Sequence, residues 1–215
     1  LAQLVLSGLI TGTALALTGV GATLVFGIQR IPNLAHGEFL TFAAYIGLLV
    51  NTYFEQNLVV GAACATLGTA ALAVFLHFAV LRPLSGRGLV ATCLITVGLG
   101  LVLRNVIFMV AGPETRKFNI DQTVVYDLGL VRLAPGQGVA LLITLVVAPA
   151  VAWFLAGTTM GKSMRAVSDN RDLAAISGVD VERIGTFVWL LAGGLAGIGG
   201  FMFAIVQGTF DPNLG

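Results

Sequence analysis

Charge is what this sequence most lacks. Only 10% of its 215 residues are Asp, Glu, Lys or Arg, whereas a water-facing surface normally needs about a quarter. A soluble globular domain is excluded on that ground. Cysteine occurs twice, at Cys64 and Cys93. Each lies inside an apolar run without the spacing of a metal site or a disulfide framework, and both read as small core hydrophobes. A net charge of +1 offers no electrostatic footprint for nucleic acid. No metal or cofactor is expected. The first apolar run lacks the basic leader and cleavage signal of a secretory peptide, so it reads as a retained span. With no initiator Met ahead of Leu1, the start is expected to be trimmed.

Apolar residues are abundant instead, at 57%, with a mean hydropathy of +0.98. Runs of membrane-spanning length cover about 1–28, 31–50, 58–81, 89–111, 138–155 and 184–207. An all-α, polytopic bundle of about six spans in one domain over 1–215 is therefore predicted, with lipid as its solvent. The 28 glycines suit helices that approach closely, and two pairs, Gly8 with Gly12 and Gly193 with Gly197, have the spacing of packed small-residue faces.

Lysine and arginine orient the bundle, because cytoplasmic loops are enriched in both. Alternating spans collect Arg30, Arg82, Arg87, Lys162, Arg165, Arg171 and Arg183 on one side and Arg116, Lys117 and Arg132 on the other. The first side is expected to be cytoplasmic. Segment 112–137 is then extracytoplasmic, and its alternating Thr123-Val124-Val125-Tyr126 and the Pro135-Gly136 turn predict a small hairpin there. The chain stops just after the sixth run, and further C-terminal spans are expected.

Polar groups inside apolar runs are costly and commonly mark a pathway or a partner. Asn33, His36 and Glu38 cluster at the start of the second run, behind Pro32, which suits the first turn of a helix. They read either as residues of the headgroup region or as part of a substrate pathway. Arg104, deep in the fourth run, reads as a snorkelling side chain or as a gate or ion-pair partner. His77, one turn before Arg82, is expected at the cytoplasmic interface.

The loop 157–183 holds the most organised polar sequence. Met160, Met164 and Val167 share a helical face. Asp172 is expected to open a second short helix that Gly178 ends, and Asp180 to cap the sixth span, with Val179 and Ile184 as a staple. Such a loop looks like a docking surface for a soluble partner. Its opening, Ala156 to Ser163, satisfies a relaxed phosphate-loop pattern, but that loop needs a preceding strand on a soluble sheet. ATP is expected to be hydrolysed by another chain.

In their order and spacing, these stretches strongly resemble the LivH-type permease family of importers powered by ATP-hydrolysing subunits. The matching words are Leu24-Val25-Phe26-Gly27-Ile28, Asn33 through Phe39 with its Ala-His-Gly-Glu core, Arg82-Pro83-Leu84, and Gly161 through Asn170. Asp172 through Val179 is similar to the coupling motif of importer permeases. Asp172 stands for its Glu, Leu173 for its first Ala, Ala174 for its second, and Gly178 for its glycine, while Leu191 replaces the closing proline of the longer form. The resemblance implies a permease for branched-chain amino acids, or for amides or urea, without a nucleotide site of its own. It also implies a second homologous permease subunit, two ATP-binding subunits and an extracytoplasmic substrate-binding protein. Asn33, His36, Glu38 and Arg104 are the candidate pathway residues. Gly161, Arg165, Asp169, Asp172, Ala174 and Gly178 are the candidate ATPase-coupling residues. Two other classes remain open: a half-helix channel, since Pro32-Asn33-Leu34 recurs as Pro212-Asn213-Leu214, and a secondary transporter with Glu38 as its ion site.

Overall fold

The computed structural model describes residues 1–53, 58–84, 88–118, 126–127, 132–212 and 214. Eight helices account for most of them. Helix α1 is Ala2–Gln29, α2 is His36–Tyr53, and α3 runs Leu58–Leu84 with a π-turn at His77–Leu81. Helix α4 is Leu89–Ala111 and α5 is Pro135–Gly157. Two short helices follow, α6 over Thr159–Asp169 and α7 over Arg171–Ile176, before α8 over Val181–Gln207. Helices α1, α3, α4, α5 and α8 are each long and apolar enough to cross a membrane. The remaining long helix, α2, has 18 residues and carries His36, Glu38 and Asn51, which make it the least apolar of the long helices. The all-α polytopic bundle is as expected.

Helix boundaries differ from expectation where backbone chemistry overrides hydropathy. The second run is apolar from Ile31, yet α2 starts at His36, because Asn33 Oδ1 accepts from the Ala35 N–H and turns the chain first. Pro32 therefore lies ahead of the helix and not in its first turn. Pro135 is the first residue of α5 and not part of a turn, a position where its missing N–H costs nothing. Helix α1 ends at Arg30, which adopts φ 55° and donates its N–H to Phe26 O.

Glycine sets the packing order. Helix α8 lies at the centre against α1, α2 and α3. A Cβ on Gly193 would sit 2.9 Å from Thr69 O, and one on Gly197 2.8 Å from Ala65 O, so only glycine lets α8 meet α3 this closely. Gly8 and Gly12 behave differently. Nothing lies within 4 Å of a Cβ built on either, so the expected close packing there does not occur within the described residues. Around α8, Trp189 is fully buried, donates Nε1–H to Gln29 Oε1 at 3.0 Å and stacks on His77 with ring centroids 5.7 Å apart. His77 opens the π-turn and is buried, near Arg82 at the loop end.

The two ends of the bundle differ. At one, the loop end, α6 and α7 fold back on the bundle, and Ser168 Oγ donates to Gly27 O at 2.8 Å. Arg82 pairs with Glu182 there at 2.7 Å. At the other, the strand end, Arg116–Lys117 (β1) pairs antiparallel with Thr209–Phe210 (β4), and Tyr126–Asp127 (β2) with Arg132–Leu133 (β3). The second pair forms the expected hairpin, while Thr123, Val124 and Val125 lie outside the described residues, as do Arg87 and Asn213.

Candidate functional site

Helices α2 and α4 run parallel and in step. Thr96 Oγ1 donates to Pro32 O at 3.1 Å. Gly100, one turn further along α4, lets Ala35 approach, its Cα 3.5 Å from a Cβ built there. One turn beyond, Arg104 meets Glu38: Nε and Nη2 both donate to Oε1, at 3.0 and 2.5 Å. The Glu38 side chain is 8% exposed and that of Arg104 33%. Arg104 is thus an ion-pair partner set inside the bundle. Burial of this kind stabilises only if both charges stay paired, since a lone ion in low dielectric costs several kcal/mol, of order 3–5 when one partner is removed.

His36 and Asn33 sit beside the pair. His36 is buried and donates from Nε2 to Thr18 O at 3.0 Å, which leaves Nδ1 as a buried acceptor without a partner among the described residues. Its ring meets Phe39 edge-on at 5.5 Å. Glu38 Oε2 and Asn33 Nδ2 are likewise buried without partners among the described residues. Asn33 just ahead of α2 and His36 and Glu38 in its first turn thus lie at the loop end of that helix, level with Arg104 in the second half of α4. Sequence reasoning missed Thr18 and Thr96, which look like ordinary residues of apolar runs.

The second candidate site is the α6–α7 loop. Thr158 caps α6 by accepting from the Gly161 N–H, and Met164 and Val167 bury the expected face. Asn170, not Asp172, caps α7: its Oδ1 accepts from Leu173 N–H at 2.9 Å, placing Asp172 within the first turn, where the helix dipole favours an acid. Gly178 ends α7 at φ 87°, and Asp180 caps α8 as expected. Asp169 and Asp172 are exposed. Arg165 reaches back to the Leu155 and Ala156 carbonyls at the end of α5, so it caps that helix. Gly161 packs against the same end, and the stretch resembling a phosphate loop joins two helices. Ala174 turns inward, 5% exposed, into the cluster of Met164 and Ile184. What faces outward is Leu173 at 57% and Ile176 at 82%.

A helix bundle with five helices long and apolar enough to cross a membrane, a buried ion pair and a folded loop at one end has the build of a multi-pass membrane protein. The family described as the branched-chain amino acid transport system permease component matches residues 4–215, and the chain belongs to it. It is similar to the probable branched-chain amino acid transport permease protein LivH of Methanocaldococcus jannaschii, 28% identical over 97% of this chain and 70% of that one. The high-affinity branched-chain amino acid transport system permease protein BraD of Pseudomonas aeruginosa is 20% identical over 99% of this chain and 74% of its own length. LivH of Escherichia coli K12 is 20% identical, over 99% and 73%. No solved structure matches the chain significantly.

Proposed function

We propose that this chain is the membrane-spanning subunit of an importer that moves branched-chain amino acids into the cytoplasm and is driven by ATP hydrolysis on two separate subunits. A second, homologous permease subunit completes the pathway, and an extracytoplasmic binding protein delivers the substrate. The substrate class follows from the names of the relatives; amides and urea are the alternative cargo. Asn33, His36, Glu38 and Arg104 line the route.

The observation that carries the ATPase coupling is the outward display of Leu173 and Ile176 on a loop locked to the bundle. A large apolar side chain held at 82% exposure next to Arg171 and Asp172 suits insertion into a partner's groove. Because Met164, Val167 and Ala174 are buried where the loop helices pack on α1 and α8, a push on α7 reaches the bundle through packed contacts. The loop end is cytoplasmic in this reading, since Arg30, Arg82, Lys162, Arg165, Arg171 and Arg183 gather there.

Purification of the tagged chain from its native membrane, followed by uptake assays in vesicles, tests the proposal. An ATPase subunit is expected to copurify, and leucine uptake to require ATP inside and binding protein outside. Ile176→Asp is expected to leave the chain inserted but to lose the ATPase subunit. Leucine uptake that persists without ATP would refute the importer reading in favour of a channel or an ion-coupled transporter.

A further inference from the structure

At the loop end, a cavity of about 460 Å³ is enclosed by the ends of α1, α3, α4 and α8 and by the loop helices. None of Asn33, His36, Glu38 and Arg104 lines it, so it is separate from the buried ion pair. Three guanidinium side chains do: Arg30, which ends α1, Arg82 on α3, and Arg171, the first residue of α7. Among the described residues a single carboxylate, that of Glu182, lines it, and it pairs with Arg82 at 2.7 Å. Arg30 and Arg171 have no acidic partner among the described residues. Three positive charges against one negative leave the cavity with a surplus of two.

Two further features say what fits there. Gln29 and His77 line the same cavity, and Gln29 Nε2 and His77 Nδ1 are buried without a partner among the described residues. Trp189 already occupies Gln29 Oε1, so the amide donors of Gln29 are left for a ligand. Part of the lining, by contrast, is apolar and belongs to the outer surface. Phe78 and Leu89 both line the cavity and are 44% and 64% exposed. Helices α3 and α4, though consecutive in the chain, pack little on each other, which leaves this side open.

We infer that this cavity binds the phosphodiester headgroup of an anionic phospholipid from the leaflet that borders the loop end. The inference goes beyond the transport reading and does not depend on the cargo. Arg30 and Arg171 take the phosphate oxygens, because the fork of donors on a guanidinium fits a phosphate at two points at once. Gln29 adds a neutral donor. The acyl chains leave past Phe78 and Leu89 onto the outer faces of α3 and α4. A basic pocket between membrane helices suits an anionic headgroup for this reason: charge holds the head while lipid solvates the tails. A soluble phosphate compound meets the same guanidiniums but gains nothing from the apolar side. Since Arg171 belongs to α7 and Arg30 and Arg82 to the bundle, a headgroup seated there ties the loop to the bundle.

Fluorescence polarisation tests this, with labelled phosphatidylglycerol titrated into the intact transporter, purified with its copurifying subunits in a neutral detergent. Unlabelled phosphatidylglycerol is expected to displace the label. Phosphatidylcholine, whose ammonium cancels its phosphate, is not. Arg30→Gln combined with Arg171→Gln is expected to weaken binding about 25-fold, at about fivefold for each arginine facing an anionic lipid. Lys162→Gln combined with Arg183→Gln removes as much charge from the loop end without touching the cavity, and is expected to leave binding unchanged. Thr92→Trp fills the cavity from α4 without altering any charge and is expected to abolish binding.

Equal losses in the two charge-removing pairs would reduce the effect to general surface charge and overturn the site. So would parent affinity in a monodisperse Thr92→Trp transporter, or a parent transporter that does not bind the labelled lipid. Displacement of the label by glycerol 3-phosphate as readily as by phosphatidylglycerol would overturn the lipid in favour of a soluble phosphate compound. None of these outcomes bears on leucine uptake, which tests the transport reading by itself.

Discussion

Helices α5 and α8 are both membrane-crossing by length and composition, and α5 is the more apolar, yet 6% of its apolar window is buried against 72% for α8. Hydropathy does not separate them, because lipid is as good a solvent for leucine as a protein core is. Glycine does. Between Val139 and Ala156, α5 has no glycine, and its Leu142, Leu145, Val146 and Trp153 face outward. Inside α8, Gly193, Gly197, Gly199 and Gly200 each bring another helix's backbone within 3 Å of where a Cβ would sit. In a bilayer, burial follows from how closely backbones can approach, and the smallest side chains decide that.

Substitutions that reverse this difference are expected to rank accordingly. The largest effect is Gly200→Leu, since even a Cβ there would sit 2.5 Å from Leu40 Cα. The clash is with main chain that cannot swing aside, so a loss of about 3 kcal/mol or more is expected. Thermal unfolding in detergent, followed by the monodisperse fraction, reads it. An unchanged midpoint would mean that α2 and α8 are not in contact.

Next is Glu38→Ala, which strands Arg104. About 2–3 kcal/mol is expected, less than for a wholly buried pair because Arg104 keeps partial exposure. Glu38→Leu combined with Arg104→Leu should recover most of that stability while transport stays lost. If the double variant were as unstable as the single one, the pair would not be the reason. A smaller effect is expected for Trp189→Phe, which keeps an aromatic ring at the buried centre but removes the donor to Gln29. About 1 kcal/mol is expected, and Gln29→Leu added to it should cost little more if the bond accounts for the loss. The smallest effect belongs to Leu145→Ala on α5. With 73% of the side chain outside the chain's own packing, the same melting assay should show a change within about 0.5 kcal/mol. A larger loss would mean that another subunit covers this face.

The loop illustrates how far local reading reaches. Gly178 at the end of α7, Asp180 at the start of α8, and the buried face of Met164 and Val167 were all legible, because each depends on residues within about one turn. Asn170 displaced Asp172 as the cap by a choice between two acceptors two positions apart, which propensity hardly separates. Ala174 was read as a coupling residue from the resemblance of Asp172 through Val179 to the coupling motif. Only the way α7 lies against α8 shows that it points inward while Leu173 and Ile176 point outward.

From sequence alone came the solvent, the number of long apolar runs, the helix ends marked by glycine and capping residues, the gathering of Lys and Arg in alternate loops, and the resemblance that proved to be the family. These are properties of composition or of neighbours along the chain, so no three-dimensional arrangement is needed to read them. The tertiary structure alone decided that Glu38 meets Arg104, that His77 lies on Trp189, and that α8 rather than another apolar helix is central. Each depends on the rotation and axial offset of one helix against another. Those are set by where backbones can touch, at Gly100, Gly193 and Gly200 among others, and hydropathy, uniform around a helix that lipid and protein solvate alike, carries almost no record of them.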